Sequence, residues 1–127
     1  MTNALGELGR FAEPALYILV SLSDGPKHGY AIMTDVESFS GAPMGPGTLY
    51  GALARLERRG LIEALEPEDR RRPYRLTALG ATTLQAQLIQ VGGYVQHEKG
   101  VMHVIAEDLV DRSPWLGGLK APARDFR

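Results

Sequence analysis

The stretch Pro46 to Gly60, PGTLYGALARLERRG, leaves little room for anything but a short helix with one buried stripe. Leu49, Ala52, Leu53 and Leu56 fall at i, i+3, i+4 and i+7, the repeat of a single helix face. Pro46 suits the first turn, where a missing N–H costs nothing, and Gly60 suits the left-handed position just past the C-terminus. Away from the stripe lie Thr48, Tyr50, Gly51, Arg55, Arg58 and Arg59, with Glu57 as the single carboxylate. A surface of hydroxyls and guanidiniums matches phosphates and base edges.

The residues that follow extend this reading. Leu61 to Glu66 is a strand candidate, Pro67 to Arg71 a polar turn with an arginine run, and Arg72 to Leu76 a second strand with Tyr74 and Leu76 on one face. Helix, strand, basic turn, strand is the order of a winged helix. There the helix enters the major groove while the basic turn lies on neighbouring phosphates, so one element reads edges and the other fixes register.

Net charge is −1 over 127 residues, which by itself argues against a nucleic-acid partner. The distribution argues the other way. Seven of the fourteen basic residues lie between Pro46 and Leu76 against five acids, a local excess of two positive charges that leaves the remainder at −3. That segregation predicts modest affinity per domain and reliance on two copies. With 44% hydrophobic and 23% charged residues the chain reads as one globular domain with an appended element. No apolar run approaches a membrane span, the N-terminus lacks the pattern of a signal peptide, and no cysteine is present, so a cytoplasmic protein without disulfides is expected.

Upstream, Glu13 to Ser23 reads as a mostly buried helix ended by Asp24-Gly25-Pro26. A second helix runs from about His28 to Ser38, with Ile32, Val36 and Phe39 on its buried side. Its start, Lys27-His28-Gly29-Tyr30, has two readings: a DNA phosphate docks on the helix N-terminus with Lys27 and Tyr30 assisting, or the turn is simply capped with Tyr30 tucked into the core. The glycine-rich loop Gly41 to Thr48 is no phosphate loop, because Pro46 and Gly47 stand where the second glycine and the lysine would be needed.

Three motifs, HGYAIM at His28 to Met33, GTLYGALARLERRGLI at Gly47 to Ile62 and RRPYRLTALG at Arg71 to Gly80, resemble the PadR family of winged helix-turn-helix transcriptional regulators. The resemblance covers about Leu16 to Leu84. It implies a mainly α fold with a small two-stranded β-wing and a long C-terminal dimerisation helix. It also implies a homodimeric repressor of a palindromic double-stranded operator, which a small molecule can relieve. Carried over by position, the recognition helix is Pro46 to Arg59, Thr48 and Tyr50 face DNA at its start, and the wing is Pro67 to Arg72. Pro46, Gly47 and Arg55 on the helix, Lys27, His28 and Tyr30 before it, and Arg70, Arg71 and Arg72 in the wing are the further DNA-binding candidates. Gly51, where the family often has a proline or another residue, and the Pro/Gly-rich tail are departures.

On this reading residues 1–76 are the DNA-binding domain, 77–113 the dimerisation segment and 114–127 an irregular tail. Leu84, Leu88, Val91 and Val95, then Met102, Ile105 and Leu109, step by threes and fours like a coiled-coil seam. A single helix of about 35 residues would span roughly 50 Å, beyond what one small domain covers, so a second copy is expected to cover it. Gly92, Gly93 and Gly100 weaken that helix, and two consecutive helices are the alternative. Trp115 either anchors a partner or an effector pocket, or pins the tail to the body.

The remaining chemistry is sparse. His97 and His103 are six apart, not the four that place two imidazoles on one helix face, so neither a metal nor a cofactor is expected and an enzyme is not. Two other readings stay open: a winged protein-interaction module without DNA, and a metal-responsive regulator using His97, His103 and Asp108. For Arg70 to Arg72 the bland reading is a solvated turn paired with Glu66, Glu68 and Asp69; for Arg55 and Arg58 it is pairing with Glu57 or Glu63.

Overall fold

Helix α1 (Ala12–Leu22) is the axis on which the other elements pack, because every residue from Ala15 to Leu22 is buried. The computed structural model describes residues 5–90, 94–98, 101–105 and 123–126. A 3-10 helix at Gly6–Phe11 leads into α1 and is followed by β1 (Lys27–His28), α2 (Gly29–Ser40), α3 (Pro46–Arg58), β2 (Ile62–Ala64), β3 (Pro73–Leu76) and α4 (Ala78–Gln90). Helix α1 touches the 3-10 segment, α2, α3, α4 and β3, so one apolar rod serves them all. The expected bounds of α1, Glu13 to Ser23, are met within one residue.

Helix α2 starts where His28 caps it, the imidazole Nδ1 accepting from the Ala31 N–H at 3.4 Å, and ends at Gly41 with φ 77°. Ile32, Val36 and Phe39 are buried on it as their spacing predicts, and the Phe39 ring meets Tyr17 edge-on at 5.8 Å. Helix α3 buries Leu49, Ala52, Leu53 and Leu56. Its C-terminus closes with Gly60 at φ 74°, whose N–H donates to Glu57 O at 3.0 Å while the Leu61 N–H donates to Leu56 O at 3.0 Å. Those two bonds satisfy carbonyls that a helix end otherwise leaves open, and the left-handed residue between them is cheapest as glycine.

The winged domain carries a three-stranded antiparallel sheet in the order β1-β3-β2. Ile62 pairs with Leu76, Glu63 with Arg75 and Ala64 with Tyr74 across the hairpin, and Lys27 pairs with Tyr74 and His28 with Pro73 on its other edge. The expectation of two strands therefore gains a third, too short for any periodicity to announce. Thr77 joins this sheet to α4: its Oγ1 accepts from the Gly80 N–H at 3.0 Å and donates to Gly60 O at 2.6 Å.

Of the expected long C-terminal helix, the described residues contain α4 from Ala78 to Gln90. Residues 94–98 and 101–105, placed within it by the heptad-like spacing, are instead the paired strands β4 (Tyr94–Glu98) and β5 (Val101–Ile105). The tail expected to be irregular contributes β6 (Ala123–Phe126), which pairs with β5. Gly92-Gly93 directly after α4 and the β-branched and aromatic residues Tyr94, Val95, Val101, Val104 and Ile105 account for the switch, since helix propensity is poor there and strand propensity high. Val91, Leu109 and Trp115 lie outside the described residues. Among the described residues, no helix is long and apolar enough to cross a membrane.

Candidate nucleic-acid interface

Helix α3 presents three different surfaces outward from its buried stripe. Pro46, Gly47 and Thr48 at its start are exposed, and neither a carboxylate nor a side-chain cap occupies the first turn. Tyr50, 53% exposed, leans toward the sheet, where its hydroxyl fills the space beside Gly29; a Cβ there would stand 2.6 Å from that oxygen. Arg55 and Arg59 turn the opposite way, toward the N-terminal segment. Ala54 and Arg58 are exposed, and Arg58 makes no ion pair with any described residue. The face between the two flanks thus carries a short side chain at Ala54 and a long cationic one at Arg58.

The wing is a tight hairpin tip rather than a loose basic loop. Glu68 and Arg71 exchange both backbone hydrogen bonds, at 2.6 and 2.8 Å, with Asp69 at φ 49° and Arg70 at φ 67° between them. Two successive left-handed residues define the turn whose twist matches a right-handed hairpin. All three arginines are exposed. Arg71 Nη1 lies 3.3 Å from His28 Nε2, and Arg72 Nη1 donates to Leu65 O at 3.4 Å. None of the three forms an ion pair with a described residue, so the neutralising contacts to Glu66, Glu68 and Asp69 that the bland reading requires are not made.

Between wing and recognition helix lies an open groove of about 310 Å³, bounded by Tyr30 and Tyr50 on one side and Arg70 to Arg72 on the other. His28 and Gly29, at the start of α2, form its end. Tyr30 is 69% exposed, which removes the reading that tucks it into the core. Tyr74 lines the groove from β3; burial pushes its phenol above the ordinary 10.0, Glu57 and Tyr50 add to the rise, and Arg72 opposes it. A neutral phenol among cationic arginines leaves the groove net positive. His28, Tyr30, Tyr50 and the three wing arginines are therefore brought together around one groove.

Lys27 is not brought to that group. Its ammonium bonds to Asp24 and to the carbonyl of Ser21, and Asp35 Oδ2 lies 3.8 Å away. Its side chain is only 18% exposed, so its charge is spent inside the fold. Arg55 is held on the opposite flank without an ion pair to a described residue: Nη1 donates to Gly51 O at 2.9 Å and Cζ lies 3.9 Å from the centre of the Phe11 ring. Neither Glu57 nor Glu63 pairs with it, and Glu63 pairs with Arg75. The sequence reading overlooked the N-terminal segment. Leu5 and Leu8 are buried in the core there, and Glu7 pairs with Arg59 at 2.9 Å.

The residues expected to line a dimer seam divide. Leu84 and Leu88 are completely buried inside the chain's own core, where α4 packs on α1, and so are not free to meet a partner. Val95, Met102 and Ile105 stand on strands, not on a helix. Leu79 and Ile89 are exposed at 55% and 60% on the other side of α4. Among the described residues no group of three or more His, Cys, Asp or Glu could hold a metal ion; His97 and His103 fall on β4 and β5, and Asp108 lies outside the described residues.

Comparison with known proteins agrees with this geometry. An uncharacterized 37.1 kDa transposon protein of Streptomyces fradiae is 46% identical over 78 residues, which are 61% of this chain and 23% of that protein. An error-prone DNA polymerase of Azoarcus sp. shares 54% identity over 43 residues, 34% of this chain and 4% of the polymerase. The chain thus spans less than a quarter of either protein's length. A PadR family transcription regulator from Clostridium difficile superposes with a TM-score of 0.56 at 27% identity, over 60% of this chain and 83% of that one. The model of the transcriptional regulator PadR-like family matches residues 18–86, more than half of the chain. The chain therefore belongs to the PadR-like family of transcriptional regulators.

Proposed function

We propose that this regulator is a homodimeric repressor that binds a palindromic duplex operator through α3 and the wing, with a small molecule able to release it. The observation that carries the reading is the groove in which Tyr50 of the exposed helix faces Arg70, Arg71 and Arg72, none of them neutralised by a described carboxylate. The helix start at Pro46, Gly47 and Thr48 lies against base edges, and the wing arginines and the His28–Tyr30 end of the groove lie against phosphates. Lys27 supports the site from inside by holding the turn before α2.

Dimerisation follows from the demands of affinity. With a net charge of −1, a single domain has little long-range attraction for DNA, and two recognition helices about 34 Å apart recover it by meeting successive major grooves. The exposed Leu79 and Ile89 support α4 as the face for the second copy, in place of the buried Leu84 and Leu88. An effector that changes the separation of the two heads would abolish simultaneous contact, which is enough for release.

The reading is tested by incubating the purified protein with random duplex fragments and sequencing those retained. Enrichment of a two-fold symmetric sequence with half-sites one helical turn apart is expected; retention without any shared sequence would reject it. The same net charge favours a second reading, a winged module for protein assembly, which predicts a stable oligomer that retains no duplex even at low salt.

A further inference from the structure

We propose that the N-terminal segment forms a second backbone clamp on the flank of α3 opposite the wing, in which Arg10 and Arg55 hold a DNA phosphate beside Phe11. The proposal rests on the reading of α3 as the helix that enters the major groove. It adds a contact that neither the wing nor the helix start provides.

Two guanidiniums converge on one ring. Arg55 Cζ lies 3.9 Å and Arg10 Cζ 5.0 Å from the centre of Phe11. Phe11 is half-buried against the core, so the ring is a fixed plate rather than a mobile side chain. It packs on α3 at Gly51, where a Cβ would stand 2.8 Å from Phe11 Cε1. Arg55 is further tied by its bond to Gly51 O at 2.9 Å, which uses one of its five donors. An arginine held in this way loses little further freedom when it takes an anion.

The charge around the pair is not cancelled. The one acid of the 3-10 segment, Glu7, is bound to Arg59 at 2.9 Å, and no described carboxylate forms an ion pair with Arg10 or Arg55. Beside Arg10 a groove of about 380 Å³ opens between Arg10 and Phe11 on one side and Gly47 and Thr48 on the other. Arg10 thereby lies next to the start of the recognition helix while the wing lies on the Tyr50 side. A helix in the major groove, about 12 Å wide, has a phosphate strand along each edge. The wing takes one edge, and the Arg10–Arg55 pair takes the other.

The test is salt-dependent fluorescence anisotropy on a labelled duplex of the region upstream of the protein's own gene, with wild type, Arg10→Ala, Arg10→Lys and Phe11→Leu. Arg10→Ala should weaken binding severalfold and lower the slope of log affinity against log salt by about one, with melting unchanged, because one phosphate contact is lost. Arg10→Lys should restore the slope, and Phe11→Leu, which keeps the burial but loses the aromatic face, should weaken binding by releasing Arg55. If wild type binds and both Arg10→Ala and Phe11→Leu keep its affinity and slope, the clamp is overturned and the wing reading stands. If wild type itself fails to bind at low salt, the DNA reading is overturned and the clamp with it. Arg10 is exposed, so its replacement leaves the outcome readable even if Phe11→Leu disturbs folding.

Discussion

Gly80 packs so closely on Leu61 that a Cβ at residue 80 would stand 1.9 Å from the Leu61 carbonyl oxygen. The obstacle is backbone, which cannot swing aside as a side chain could. That same carbonyl accepts from the Thr77 N–H at 3.1 Å, so the first turn of α4 is held directly against the residue that follows the recognition helix. Gly80→Ala should cost about 1–3 kcal/mol as an overpacked site, read as a lowered thermal midpoint. A wild-type midpoint would mean that α4 can shift without loss.

Lys27 provides a test of what is structural and what binds DNA. Its ammonium bridges Asp24 and Asp35 at a side-chain exposure of 18%. Lys27→Met should destabilise the fold by about 1–3 kcal/mol, because part-buried acceptors lose their donor. The salt slope of DNA binding should stay at the wild-type value. A slope lowered by about one with unchanged stability would return Lys27 to the phosphate-binding set.

The wing separates charge from backbone geometry. At Arg70, with φ 67°, a β-branched residue is strained, whereas glycine is not. Arg70→Gly and Arg70→Val should both weaken DNA binding through the lost charge. Only the valine variant should also destabilise the protein, by about 1–2 kcal/mol. Chemical denaturation of the two variants checks this, and equal stability would mean that the turn is not held in the left-handed form.

Tyr74 predicts behaviour in alkali. Its folded pKa is raised above 10.0, first by burial. The folded state therefore keeps the phenolic proton longer than the unfolded chain does. The contribution to stability is fully present below pH 10 and is lost as pH rises through the folded value. Stability of Tyr74→Phe relative to wild type should accordingly improve as pH is raised above 10, measured by denaturation at a series of pH values. A difference that stays constant with pH would contradict the burial argument.

The parts of the fold legible in the sequence are those with a long apolar period and a chemical stop at each end. Helix α3 announced itself through Leu49, Ala52, Leu53 and Leu56 between Pro46 and Gly60, and α2 through Ile32, Val36 and Phe39. The strand at Lys27–His28 has two residues, fewer than one alternation, and exists because β3 needs a partner on its free edge. Beyond Gln90 the three-and-four spacing misled, since the β-branched residues that filled it prefer strands.

The site was readable where charge and exposure coincide, as at Arg70 to Arg72. It was not readable where partners lie far apart in sequence. Nothing near Lys27 signals that Asp35 will stand beside it, and the link between Glu7 and Arg59 crosses most of the winged domain. The signal that could have revealed the N-terminal segment is Gly51: a glycine in mid-helix costs about 1 kcal/mol relative to alanine and so asks for a neighbour that needs the space. That neighbour is Phe11.

If α3 and the wing together bind duplex DNA through unneutralised arginines, the salt dependence of duplex binding must differ between wild type and the Arg70→Ala, Arg71→Ala, Arg72→Ala triple variant. Wild-type affinity should fall steeply with salt, and the slope should be shallower by about two to three in a triple variant that melts like wild type. Equal slopes for the two proteins, or wild-type affinity indifferent to salt, would contradict that mode of binding.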